Sequence, residues 1–172
     1  MKRPHRKKKR KINVASSCLQ SVNSSVTFLM TAIVDVKGGR AAKTRVLLDP
    51  GAQASFISEA LVDAAAARAV STAHITVQGF GAPAHRMRTT VHQLFLRGLD
   101  GSTHEVKAFK RTSLSLEISP VPNEVVERWH HYGVEVSDRQ ENAQGCDAKV
   151  QMLLRADCVN QFLRHKMSSC MV

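Results

Sequence analysis

The chain has 172 residues, 43% of them hydrophobic and 23% charged, so its length and composition suit one packed domain with tails. Its net charge of +11 is concentrated at one end: residues 2–11 hold eight of the 25 Lys and Arg, which leaves 17 basic against 14 acidic residues and a body of only +3. The longest apolar run, 26–36, is interrupted by Thr27, Thr31 and Asp35 and falls far short of the roughly 20 residues that span a bilayer, which excludes a membrane helix there.

In chain order, residues 1–25 read as a disordered tail, cationic first and then rich in Ser and Asn, because such sequence buries too little apolar surface to offset its ordering entropy. The folded domain is expected over 26–164, with a short C-terminal tail at 165–172. Residues 26–36 are β-branched and apolar and predict a strand; Lys37-Gly38-Gly39-Arg40 supplies a turn; residues 44–48 predict a second strand that completes a hairpin. Asp49-Pro50-Gly51-Ala52 then forms a loop. Ser58 is a natural N-cap with Glu59 in the first turn, opening a short helix over 60–69. A strand at 74–77 runs into a flexible turn at 78–81, and strands at 90–96 and 104–109 flank the hairpin signal Asp100-Gly101. Pro120 and Pro122 open a loop, residues 124–131 suggest a helical turn, 149–154 a strand and 157–164 a closing helix. Many short strands with one or two short helices predict a mainly β fold, a small closed β barrel.

No secretory signal is legible, since the basic start leads into polar sequence. Cys18, Cys146, Cys158 and Cys170 are in no metal-binding spacing and suggest free thiols in a reducing, intracellular compartment, cytoplasmic or nuclear. The C-terminus is not a prenylation box, because Cys170 is third from the end. His130-His131 point to different faces of any regular element, so no metal site and no cofactor are expected. No Gly-x-Ser-x-Gly elbow occurs.

The sharpest feature is Arg45-Val46-Leu47-Leu48-Asp49-Pro50-Gly51-Ala52, a carboxylate at the end of an apolar strand followed by a tight glycine turn. Two carboxylates held together share one proton and form an acid–base pair. Read locally, an Asp ending a strand and starting a turn accounts for the same residues.

From Leu47 to Ser58, the pattern Leu-Leu-Asp-x-Gly-Ala-x-x-Ser-Phe-Ile-Ser resembles the active-site segment of the aspartic peptidase domain of Pao/BEL-type retrotransposons, a relative of the retroviral proteases, or retropepsins. Residues 28–36 look like that family's first strand, Ile75-Thr76-Val77-Gln78-Gly79-Phe80-Gly81 like the stretch with its flap, and Gln151-Met152-Leu153-Leu154-Arg155-Ala156-Asp157 like its late apolar segment. The resemblance implies a retropepsin-like barrel with Asp49 as the catalytic carboxylate. Pro50, Gly51 and Ala52 would be its active-site loop, and Gly79, Phe80 and Gly81 its flap. The chain holds one Asp-x-Gly, so the second carboxylate would come from an identical chain in a homodimer cleaving polyprotein peptides.

Two positions depart from the family's pattern. Pro50 replaces the Ser or Thr whose hydroxyl helps lock the paired loops, and Arg155 stands where the family usually has Gly, close to those loops, where a long cation must turn outward or displace packing. They leave open a catalytically impaired domain that serves as a dimerising or peptide-binding module. The tail leaves open a nucleic-acid-associated polyprotein fragment: the cations of residues 2–11 suit non-specific RNA or DNA binding, nuclear import, or a solvated linker, and no aromatic residue there suits base stacking.

Overall fold

The structure, a computed structural model, describes residues 29–79, 81–97, 101–114, 116–118, 121–133, 136–139, 146 and 149–162. Both expected tails, 1–25 and 165–172, lie outside these residues. Strands β1 (Thr31–Lys37), β2 (Ala41–Leu48) and β3 (Phe56–Ser58) come first, followed by helix α1 (Glu59–Ala64). Next are β4 (Arg68–Val77), β5 (His85–Arg97), β6 (Thr103–Arg111), α2 (Asn123–His131), β7 (Val150–Leu154) and α3 (Ala156–Phe162).

The strands follow one another in the sheet as β1-β2-β7-β3-β6-β5-β4, and β1 also pairs with β5, so six of them close into a barrel. Helices are short, and the mainly β expectation holds. β4 lies outside the ring and, among the described residues, pairs with β5 alone. β7 threads between two earlier strands, parallel to β2 and antiparallel to β3.

Alternation fills the barrel. Val34 and Val36, Val46 and Leu48, Leu94 and Leu96, and Met152 and Leu154 point inward from their strands, where period-two geometry puts every second side chain on one face. Leu61 and Val62 of α1 and Cys158 and Val159 of α3 join this core. A second, smaller cluster unites Ala52, Ala54, Phe56 and Ile75 with the partly buried Ala73, Val77, Met87, Phe109 and Leu153. It ties the β4–β5 hairpin to the loop after β2.

The hairpin at residues 37–40 forms as expected, but it also shortens the helix. The N–H groups of Gly39 and Arg40 donate to the carbonyls of Ala66 (3.1 Å) and Ala65 (2.9 Å). A Cβ on Gly38 would stand 2.5 Å from the Ala65 carbonyl oxygen, so only glycine permits this approach. The helix expected over 60–69 therefore ends at Ala64; Ala66 takes a φ of 46°, and the chain becomes β4 from Arg68. Ser58 caps α1 as expected, its Oγ accepting from the Leu61 N–H at 3.1 Å.

Other boundaries move too. β5 begins at His85 rather than 90, pairing residue by residue with β4 as far as Val77↔His85. β1 begins at Thr31; Leu29 and Met30 precede it, the Met30 carbonyl still accepting from the Leu48 N–H at 2.8 Å, while residues 26–28 lie outside the described ones. Of Asp100-Gly101 only Gly101 is described, with the positive φ of 78° that its turn requires.

Among the described residues one buried polar side-chain atom stands without a partner. Thr44 Oγ1 is fully enclosed and makes no hydrogen bond among the described residues. Replacing a buried unsatisfied hydroxyl with a methyl of the same shape removes a desolvation cost. Thr44→Val is expected to stabilise the fold by about 1 kcal/mol, read as a higher urea midpoint with an unchanged slope.

Candidate functional site

Asp49 is the residue at which β2 stops. Its N–H still belongs to the sheet, donating to the Leu154 carbonyl of β7 at 3.0 Å. Its carbonyl accepts from the Ala52 N–H at 3.1 Å, which makes residues 49–52 a β-turn. Pro50 is then the first central residue of that turn, the position where a fixed φ near −65° fits best. The side chain completes the device: Asp49 Oδ1 accepts from the Gly51 N–H at 2.8 Å. Among the described residues Oδ2 has no partner. Asp49 is half-buried, while Pro50 and Gly51 are exposed.

The rest of the loop is roped to its surroundings. Ala52 and Ala54 are buried, and the Ala52 carbonyl accepts from the Ala156 N–H at 3.2 Å. Ser55 is 1% exposed, its Oγ accepting from the Arg155 N–H at 3.1 Å and its carbonyl from the Phe109 N–H at 2.9 Å. The loop thus hangs between β7, the start of α3 and β6, with little freedom to move the carboxylate. Ser55 clamps the loop, a role in its packing that the motif alone does not reveal, since a serine three residues beyond a turn is usually solvent-facing.

Arg155 turns outward. Its guanidinium pairs with Asp157, with Nε 2.5 Å from Oδ1, and its side chain is 49% exposed. Partial burial works against its charge, but the hydrogen bond and charge of Asp157 outweigh it and raise its pKa above the ordinary arginine value. The expected cost to packing beneath the loop is therefore avoided: the guanidinium pairs outward with Asp157, and the Arg155 N–H bonds the loop at Ser55. Next to it, burial and the charge of Asp157 push the Cys158 thiol up, while hydrogen bonds from Ser55 and Arg155 pull the other way.

Gln78, Gly79 and Gly81 lie at the tip of the β4–β5 hairpin. The Ala82 N–H closes the tip on the Gly79 carbonyl at 3.2 Å, and Gly81 has a φ of 70° with open space around it. Phe80 lies outside the described residues. Ile75, Val77 and Met87, from the same hairpin, pack in one cluster with Ala52 and Ala54. Asp49, Gly51, Ala52 and the stem that carries Gly79 and Gly81 thus belong to one side of the molecule.

His130 and His131 are both exposed on α2, and the His131 ring meets Tyr132 edge-on at 5.6 Å. Among the described residues no three His, Cys, Asp or Glu side chains cluster as metal ligands, and no helix is long and apolar enough to cross a membrane. No family model, curated protein or solved structure matches the chain.

Proposed function

We propose that the chain is an aspartic endopeptidase of the retropepsin type, working as a homodimer on polyprotein peptides in a reducing intracellular compartment. One observation carries the reading. Asp49 leaves β2 on a loop that fixes its carboxylate through the Gly51 N–H at 2.8 Å, and that loop packs against a glycine-tipped hairpin. The position of β7, between the strand before Asp49 and the strand after its loop, supports it by holding both flanks of the loop on one late strand.

The chemistry follows from pairing two such loops. Like charges in close contact cannot both ionise, so the two Asp49 carboxyls hold one proton between them. The ionised one removes a proton from water as that water attacks the peptide carbonyl carbon. The protonated one hydrogen-bonds the carbonyl oxygen as its charge grows. The proton then passes to the leaving nitrogen, and the C–N bond breaks. Gly51 N–H on Oδ1 leaves Oδ2 for the water and the substrate. Incubating the purified chain with a peptide library at acid and neutral pH, with and without an aspartic-protease inhibitor, tests the reading. Inhibitor-sensitive cleavage is expected.

A second reading, an impaired module that still dimerises, is favoured by Pro50. Its exposed position at a turn corner would allow a serine without strain, and a serine hydroxyl there could donate to a partner loop. Each chain lacks that bond, and a hydrogen bond contributes about 0.5–1.5 kcal/mol net. Pro50→Ser is expected to tighten dimerisation by about one to two decades and to speed cleavage. Sedimentation and peptide assays run side by side check it; a variant no tighter and no faster than the parent clears Pro50 as the defect.

A further inference from the structure

The small positive excess of the body is unevenly placed. Residues 68–112 hold seven Lys and Arg against two acidic residues, net +5, whereas residues 12–172 together are only +3. The fold gathers part of this charge on one surface. Arg86 and Arg88 alternate along β5 and so share a face, with Thr76 and His74 of β4 directly opposite them. Arg86, Arg88 and His74 are exposed, and among the described residues neither arginine has a carboxylate partner.

Beside Arg88 lies an open groove of about 390 Å³ between the first turn of α1, the middle of the β4–β5 hairpin and the end of β6. Arg88, Lys110 and Arg111 line it together with Thr72 and Thr112. Glu59 is the one carboxylate in the lining and is tied to Lys110 at 2.5 Å; Met87 is the one large apolar side chain. The Arg111 guanidinium lies over the Phe56 ring, 5.8 Å from its centroid, a cation–π contact that favours this placement.

We propose that this groove and the outer face of β5 bind the phosphodiester backbone of a nucleic acid without reading its bases. Guanidinium groups match phosphate oxygens in a planar fork, and threonine hydroxyls add donors to the same oxygens. The lining has no aromatic side chain on which a base could stack, so the contact is to the backbone. An acidic peptide carries similar charge, but tight peptide interfaces commonly add buried apolar or aromatic anchors, and Met87 alone offers that here. The site is distinct from the basic residues 2–11, and it does not rest on Asp49 or on cleavage.

The test uses the full chain and a short fluorescein-labelled oligouridylate, with anisotropy titrations over a series of salt concentrations. Arg86→Ala/Arg88→Ala is expected to lower the salt slope by about 1.4 and to weaken binding roughly tenfold to a hundredfold at about 0.1 M salt. Arg86→Lys/Arg88→Lys keeps the charges and retains most of the slope, which separates a phosphate contact from a change in fold. Thermal unfolding of both variants should match the parent. Replacing Lys7, Lys8 and Lys9 by alanine should lower the slope independently, in either background. The proposal is overturned if the double alanine variant binds with the parent's slope and affinity. It is also overturned if oligoglutamate of equal charge displaces the RNA as well as unlabelled RNA does, which would make the surface an acidic-peptide site.

Discussion

Asp49→Asn should abolish peptide cleavage while leaving the fold nearly untouched. The carboxamide oxygen can accept from the Gly51 N–H as Oδ1 does at 2.8 Å, so the turn over residues 49–52 survives. What disappears is the exchangeable proton. Two Asn side chains can neither take a proton from water nor give one to the leaving nitrogen, and removal of one member of a catalytic unit typically costs about four to six orders of magnitude in rate. Because Asp49 is only half-buried and its backbone bonds to Leu154 and Ala52 are unaffected, the change in stability should stay within about 0.5 kcal/mol. Initial rates on a cleaved peptide, with urea unfolding alongside, check both halves. Parent-like cleavage by the Asn variant would place the chemistry elsewhere.

Asp138→Ala should be the most destabilising single change outside the apolar core. Arg45 and Asp138 are 3% and 1% exposed, and their contact is two-pronged, with Nε 2.9 Å from Oδ2 and Nη2 3.0 Å from Oδ1. Thr31 Oγ1 donates to the same carboxylate at 2.5 Å. Removing the carboxylate leaves a guanidinium in a site shaped for a pair, a change that typically costs about 3–5 kcal/mol. A domain's whole stability is commonly only about 5–15 kcal/mol, so the variant should unfold at much lower urea. Replacing both partners with apolar residues of similar volume, Arg45→Met with Asp138→Leu, should recover much of the loss, because no charge then remains buried. A loss under about 1 kcal/mol for Asp138→Ala would show that water reaches Arg45 readily and that the pair does not hold this part of the chain.

What was legible in the sequence was whatever local chemistry decides. The apolar run into Asp49, the turn residues Pro50 and Gly51, the Gly38-Gly39 turn and the Ser58 cap all act within a few residues of themselves, and each stands where it was expected. What stayed hidden depends on distant partners. β3 has only three residues, too few to display a period, and is a strand because β6 and β7 flank it. The alanine run after Val62 favours helix, yet the 37–40 hairpin takes the carbonyls of Ala65 and Ala66 and ends α1. The first half of β4, exposed on both faces, shows no apolar alternation for a pattern to find. Asp138 offers no signal at all, since its partner Arg45 is 93 residues away. At the candidate site the carboxylate and its glycine turn were readable, whereas the Ser55 clamp and the outward course of Arg155 were not, because both depend on where α3 begins.

The insertion of β7 between β2 and β3 also sets an order of assembly. Arg45 pairs with Val150 and Phe56 with Leu153, so the ring has a gap until one of the last strands of the chain reaches it. As the polypeptide emerges during synthesis, the facing edges of β2 and β3 wait unpaired with their hydrogen-bonding groups bare, and long-range pairings of this kind close slowly. A premature stop ahead of Val150 would leave an open, adhesive sheet with no smaller barrel to fall back on.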